Sequence, residues 1–143
     1  HKNNMTTRIL IMGLPGSGKT TLTVNLVYAI RQLGKTVLWH NADAVRKLHN
    51  DWDFTVEGRI RQSIRMRDLA AAATTDVVIC DFICPLPIMR ENYAADFLVW
   101  VDTEYTSRYS DTDQLFQAPE TYDIKVTSKS ADKWTELILA QIL

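Results

Sequence analysis

The string Gly13-Leu14-Pro15-Gly16-Ser17-Gly18-Lys19-Thr20 satisfies G-x-x-x-x-G-K-[ST] in full, and its surroundings narrow the fold more than any other feature of the chain. Before it, Arg8 to Met12 (RILIM) is a short apolar run rich in β-formers that stops at Gly13. After it, Leu22, Leu26, Ala29, Ile30 and Leu33 recur at helical spacing, and Gly34 ends the helix as a C′ glycine. In a strand-loop-helix setting the glycines let backbone N–H groups turn inward around a phosphate, and the helix N-terminus adds positive dipole. Lys19 is then placed to neutralise the β- and γ-phosphates of a nucleotide and the Thr20 hydroxyl to bind Mg²⁺. Gly13, Pro15, Gly16, Ser17, Gly18 and Thr21 complete the phosphate-binding stretch.

The same alternation continues along the chain. KTVLWHN (35 to 41) predicts a second strand, and Asp43 is of the type that caps the short helix carrying Val45, Arg46 and Leu48. A Trp/Asp-rich loop (NDWDF) precedes a longer helix from about Val56 to Ala73, whose small-residue end (AAAATT, 70 to 75) suits packing on a sheet. DVVICDF (76 to 82) is a buried strand closed by an acid, Pro85 and Pro87 mark a loop, and 87 to 94 predict a short helix. DFLVWVD (96 to 102) and TYDIKVT (121 to 127) predict two more strands, and Ser130 opens a terminal helix with Trp134, Leu137, Ile138 and Ile142 on one face. Strands alternating with helices imply an α/β, three-layer fold: a five-stranded parallel sheet with helices on both faces. One domain is expected over 5–143, without internal repeats, and His1 to Asn4 read as an added or frayed end before Met5, the natural start.

Length and charge bound the function. A chain of 143 residues suits a single core and one site, and 46% hydrophobic with 23% charged residues is a globular composition. Sixteen basic against seventeen acidic residues give no general argument for nucleic acid or membrane. No apolar run approaches the roughly 18 to 20 residues of a membrane span, and HKNN lacks the apolar core of a signal peptide, so a cytoplasmic protein is expected. Cys80 and Cys84 lack the spacing of a disulfide framework or zinc site and read as small buried residues. His40 and His49 show no metal spacing; Trp39, Trp100 and Trp134 read as core, whereas Trp52 lies in the loop before Phe54.

Three further features lie downstream of the loop. Asp81 ends an apolar strand, where a carboxylate at the C-terminal edge of a parallel sheet can hold a metal through its water shell. Asp43 occupies the equivalent edge of the second strand and could take the proton from an acceptor hydroxyl. Arg59, Arg61, Arg65 and Arg67 crowd one helix, where Arg59 and Gln62 share a face and Ile60 and Ile64 lie on another. One arginine facing the sheet edge could hold an anionic acceptor.

This combination resembles the adenylylsulfate kinase family, whose members phosphorylate the 3′-hydroxyl of adenylylsulfate with ATP. The resemblance rests on GLPGSGKTT (13 to 21), NADAVR (41 to 46), F-T-x-E-x-R-x-x-Q from Phe54 to Gln62, FICP (82 to 85) with Arg90 seven residues after Ile83, and VDT (101 to 103). It stretches over about two thirds of the chain in the family's order. It implies that Asp43 and Arg46 engage the acceptor, that Phe54 stacks near its adenine, that Arg59 and Gln62 contact it further, and that Ile83, Cys84 and Pro85 complete its pocket. The chain departs from the family at Asn41, Gln62, Cys84 and Leu14-Pro15, and Asp81 is not a family hallmark. In place of a long basic lid, Glu104 to Asp123 carry five acids and the single base Arg108. Either Arg108 does the work of several residues, a partner contributes (a second copy in a homodimer), or the substrate differs.

Three readings follow. The first is a P-loop kinase acting on ATP and a small anionic acceptor, adenylylsulfate. The second keeps the kinase and changes the acceptor to a nucleoside, a modified base or a polynucleotide end met by Arg61, Arg65 and Arg67. The third is a nucleotide-dependent switch or binding protein, against which stands the absence of an N-K-x-D stretch, TSKS (127 to 130) being only a faint echo of the loop that flanks it.

Overall fold

β1 (Thr7–Met12) runs through the middle of the sheet, hydrogen-bonded to β3 (Val77–Phe82) on one side and β4 (Phe97–Val101) on the other. β2 (Val37–Asn41) and β5 (Ile124–Val126) form the edges, giving the order β2-β3-β1-β4-β5 with every pair parallel. The computed structural model describes residues 6–143. The expectations for His1 to Asn4 and for Met5 lie outside the described residues.

Alternation along the strands divides the apolar side chains between two cores. Ile9 and Ile11 of β1 and Val77 and Ile79 of β3 meet α1 (Lys19–Gln32) and α6 (Ala131–Ile142) through Leu22, Leu26, Ile30 and Ile138. Leu10 and Met12, with Val78, Cys80 and Phe82, meet α3 (Val56–Ala72) and α4 (Pro87–Tyr93) through Met66, Ala70, Met89 and Tyr93. Because both faces are covered, β1 and β3 need apolar residues at consecutive positions, which is why they read as unbroken runs. Both cysteines are buried and unpaired, as expected, and no helix among the described residues is long and apolar enough to cross a membrane.

Register positions the site. Ile11, Asp81 and Asn41 are aligned across β1, β3 and β2, and side chains aligned in this way share a sheet face. Asp81 therefore projects toward the N-terminus of α1, the side on which Thr20 lies.

Four local expectations are corrected. The short helix α2 (Ala42–His49) is capped by Asn41, whose side chain accepts the Ala44 N–H at 3.1 Å, whereas Asp43 sits inside the first turn. The cap residue must keep extended backbone, and Asn41, at φ −87°, ψ 133°, is the last residue of β2. Leu33 and Leu137 are exposed: Leu33 lies at the C-cap beyond the packed turns of α1, and α6 turns Trp134, Ile138, Leu139 and Ile142 toward the core, leaving Leu137 off the stripe. The last strand is limited to three residues, Ile124–Val126. An additional helix, α5 (Ser110–Leu115), stands in the region expected only as a short lid.

Gly58 lies in the first turn of α3, where the Thr55 side chain caps its N–H at 3.1 Å. A Cβ here would collide with the main-chain oxygen and the side chain of Asp53, so the turn seats on the 51–53 loop only with glycine. Alanine would gain about 1 kcal/mol of helix propensity but incur about 1–3 kcal/mol of overpacking against backbone that has little room to yield. Gly58→Ala is expected to destabilise the fold by up to about 2 kcal/mol net, read as a lower urea midpoint with an unchanged m-value; a rise in midpoint would contradict this seating.

Candidate active site

β1, β2 and β3 end on one edge of the sheet, over an open cleft of about 910 Å³. Lys19, Thr20, Asp43, Arg46, Phe54 and Asp81 all line it. The phosphate loop forms one wall. Gly13, at its base, packs so closely on β4 that a Cβ would collide with the Val101 carbonyl oxygen, and it does not line the cleft itself. Pro15, Gly16, Gly18 and Thr21 do, while Ser17 is buried beneath with its hydroxyl unpartnered among the described residues. The Lys19 ammonium donates to the Leu14 carbonyl at 2.9 Å and the Thr23 hydroxyl to the Lys19 carbonyl at 2.7 Å, fixing the entry to α1.

Asp81 is 2% exposed and receives three side-chain donors. The Trp39 indole donates at 2.8 Å, the Asn41 amide at 3.2 Å to each carboxylate oxygen, and the Thr20 hydroxyl at 3.4 Å. Burial pushes its carboxyl up to about 6, although the hydrogen bonds from Trp39 and Asn41 and the Lys19 charge pull it down. Burial likewise lowers Lys19 to about 8, against the charges of Asp81 and Asp43. A buried carboxylate beside a hydroxyl at a phosphate loop fits the needs of Mg²⁺, which takes few protein ligands and completes its shell with water and phosphate oxygens. No cluster of three or more His, Cys, Asp or Glu among the described residues offers an all-protein metal cage.

On the other wall Phe54, 46% exposed, has two guanidinium groups close to its ring, Arg46 at 4.4 Å and Arg59 at 5.4 Å from the ring centre. Both arginines are buried and held by main chain: Arg46 donates to the Asp51 and Asp53 carbonyls at 3.0 and 3.2 Å, and Arg59 to the Phe54 carbonyl at 2.9 Å. Arg59 also donates to the Thr112 hydroxyl at 2.9 Å and pairs with Asp111 at 3.4 Å, fastening α5 over the cleft. Trp52 and Tyr109 are further half-exposed aromatics on the same cleft. Gln62 faces it from α3, its amide donating to the Ala42 carbonyl at 3.0 Å.

Ile83 and Cys84 complete this end. Cys84 has φ +50° and is 1% exposed, with burial pushing its thiol up to about 12. Arg90 holds the turn, donating to the Cys84 and Pro85 carbonyls at 3.1 and 3.2 Å and also to the Gln117 carbonyl. Arg108 reaches the cleft from the lid with its guanidinium 5.0 Å from the Tyr109 ring.

The remaining arginines of α3 are committed to acids. Arg61 and Arg65 pair with Asp51 at 2.8 and 2.7 Å, Arg61 also with Asp53 at 3.1 Å, and Arg67 with Asp68 at 3.0 Å. Arg61, Arg65 and Arg67, the cations expected to meet a polynucleotide, are thus all engaged in ion pairs within the chain. Several residues of the site carried no sequence signal of their role. Trp39 read as core, Asn41 as a departure from the family, and Thr112 as lid; Lys129, read only as part of a faint loop echo, donates to the Gly16 carbonyl at 3.1 Å.

A family model described as adenylylsulphate kinase matches residues 5–130. No curated protein matches the chain. Among solved structures, the APS kinase of Mycobacterium tuberculosis in complex with AMPPNP and APS superposes with a TM-score of 0.77 at 18% identity, over 96% of this chain and 98% of that one. A hexameric APS kinase from Thiobacillus denitrificans gives 0.77 at 21%, over 96% of this chain and 29% of that one. A sugar kinase from Janibacter sp. HTCC2649 gives 0.67 at 16%, over 94% and 93%. These likenesses establish the three-layer P-loop kinase fold.

The Asp81 environment predicts a pH dependence in the protein without ligand. Its folded pKa lies above the ordinary value of 3.8, so its contribution to stability is full below that value and lost as pH rises through about 6. Lys19, depressed from 10.5 to about 8, acts in a separate alkaline window, its contribution lost as pH falls through about 8. Between pH 4 and 6.5, denaturant titrations should show wild type losing on the order of 2–3 kcal/mol relative to Asp81→Asn. Parallel profiles would contradict the assignment.

Proposed function

The chain belongs to the adenylylsulphate kinase family, and on that premise we propose that this ATP-dependent kinase transfers the γ-phosphate of Mg-ATP to the 3′-hydroxyl of adenylylsulfate. One observation carries the choice of acceptor: a half-exposed aromatic ring beside two buried guanidinium groups, Phe54 next to Arg46 and Arg59, in the cleft that also holds Lys19 and Asp43. An aromatic face suits a base, and fixed guanidinium groups suit the anionic remainder of a nucleotide-like acceptor. A neutral sugar would have no use for either cation.

Each residue then has a task. The loop amides and Lys19 bind the donor phosphates, Lys19 exchanging its bond to the Leu14 carbonyl for phosphate oxygens. Asp43, in the first turn of α2 on the facing wall, orients the acceptor hydroxyl and accepts its proton as the new phosphate ester forms. Phe54, Arg46 and Arg59 hold the acceptor in line, with Gln62, Ile83 and Cys84 closing its pocket. Thr20 and Asp81 would hold Mg²⁺, which when bound supplies positive charge to the β- and γ-phosphate oxygens. α5, fastened through Arg59, excludes part of the solvent from this end. A homodimer in which a second copy adds cations to the lid belongs to the same proposal.

A coupled assay of ADP release with ATP and adenylylsulfate tests the reading. Asp43→Asn should lower kcat by about 10²- to 10⁴-fold, the usual worth of a general base, with little change in KM for ATP. Phe54→Ala should raise KM for the acceptor by about tenfold, the loss of one stacked base, and leave KM for ATP unaltered. Wild-type turnover no faster than that of Asp43→Asn would sink adenylylsulfate as the acceptor.

A further inference from the structure

Two side chains from outside the phosphate loop donate to two consecutive carbonyls within it. The Lys129 ammonium, from the β5–α6 connection, donates to the Gly16 carbonyl at 3.1 Å. The Thr103 hydroxyl, just beyond the end of β4, donates to the Ser17 carbonyl at 2.6 Å. Glu104, the next residue, pairs with Lys129 at 2.8 Å and so directs the ammonium. The Lys129 stem runs along the loop, 3.7 Å from where a Cβ on Gly18 would stand.

In a trans peptide the C=O and N–H point in opposite directions. Holding the Gly16 carbonyl outward therefore turns the Ser17 N–H inward, and holding the Ser17 carbonyl outward does the same for the Gly18 N–H. Inside the loop, the Ser17 N–H points at the Leu14 carbonyl at 3.3 Å, the same oxygen that takes the Lys19 ammonium at 2.9 Å. Leu14 O thus occupies the direction from which a phosphate oxygen would draw both donors.

We infer that Thr103, Glu104 and Lys129 are positioning residues that brace the phosphate loop from outside and preset its amides for the phosphates of a nucleoside di- or triphosphate. The brace matters because donors already aimed at their ligand need no reordering when it arrives. The Lys129–Glu104 pair is exposed, with 56% and 39% of each side chain accessible, so its use lies in direction and not in holding the fold. This inference rests on the reading of the loop as a donor-nucleotide site and is independent of the acceptor.

Two measurements test it on the whole protein. In hydrogen exchange without ligand, Lys129→Ala and Thr103→Ala should each speed exchange of the amides of residues 16–18, and Lys129→Arg and Thr103→Ser should restore it. Calorimetry should show both alanine variants binding ADP about five- to tenfold more weakly, the worth of one hydrogen bond, with thermal stability little altered. If loop exchange is unchanged in both variants, the brace is overturned. If Lys129→Ala weakens ADP binding and Thr103→Ala does not, Lys129 touches phosphate directly and the brace is again overturned. A wild-type protein that does not bind ADP would instead overturn the nucleotide reading itself.

Discussion

Burying an ionised carboxylate at a sheet edge is costly, and much of the site is arranged around that cost at Asp81. The β2-β3-β1 register sets Asn41 beside it and aims both at α1, and Trp39, two residues earlier on the same face of β2, brings its indole to the same carboxylate. These donors offset the desolvation only in part, leaving the carboxyl near 6. Lys19 has the complementary problem, an ammonium drawn largely out of water and only partly compensated by the charges of Asp81 and Asp43. Desolvation disfavours both charges, and under the proposed function a metal–nucleotide complex would offset both, so binding should also stabilise the fold.

The acceptor wall follows a different economy. Asp51 and Asp53 accept from Arg61 and Arg65 through their side chains, and their carbonyls, together with that of Phe54, take Arg46 and Arg59. The acids neutralise the outer arginines, whereas the inner two keep their charge facing Phe54 because their partners are mostly neutral main chain. A helix that looks uniformly basic is thereby sorted into a structural half and a binding half. Asp51 is held well below the usual carboxylate range by Arg61 and Arg65, which keeps this sorting intact down to acidic pH.

What the sequence disclosed depended on whether a residue's role was local. Strand, glycine loop and helix were legible because each leaves a periodic or compositional mark, and the two-sided burial of β1 and β3 appears directly as unbroken apolar runs. The cap of α2 is ambiguous in the sequence because Asn41 and Asp43 are both good capping types, and only the extent of β2 decides for Asn41. α5 left no signal, since SDTDQL has no apolar stripe and is held by Arg59, reached from 52 and 53 residues away. The Lys129 contact to Gly16 spans 113 residues of sequence, beyond any spacing rule.

The lid also sets how charge must be handled during transfer. Its five acids are not all idle: Asp111 serves Arg59, Asp113 accepts the Ser107 N–H and hydroxyl, and Glu104 holds Lys129. None of these acids can stabilise negative charge that develops on a transferring phosphoryl group, and Arg108 is the single basic residue of the lid. Most of that stabilisation must then come from donors fixed in the walls: Lys19, the loop amides and the metal that Thr20 and Asp81 would hold. A protein with few mobile cations to close over its substrates gains more from a loop whose donors are aimed in advance. Bracing the loop from β4 and from the β5–α6 connection is a physically economical way to achieve that without lengthening the chain.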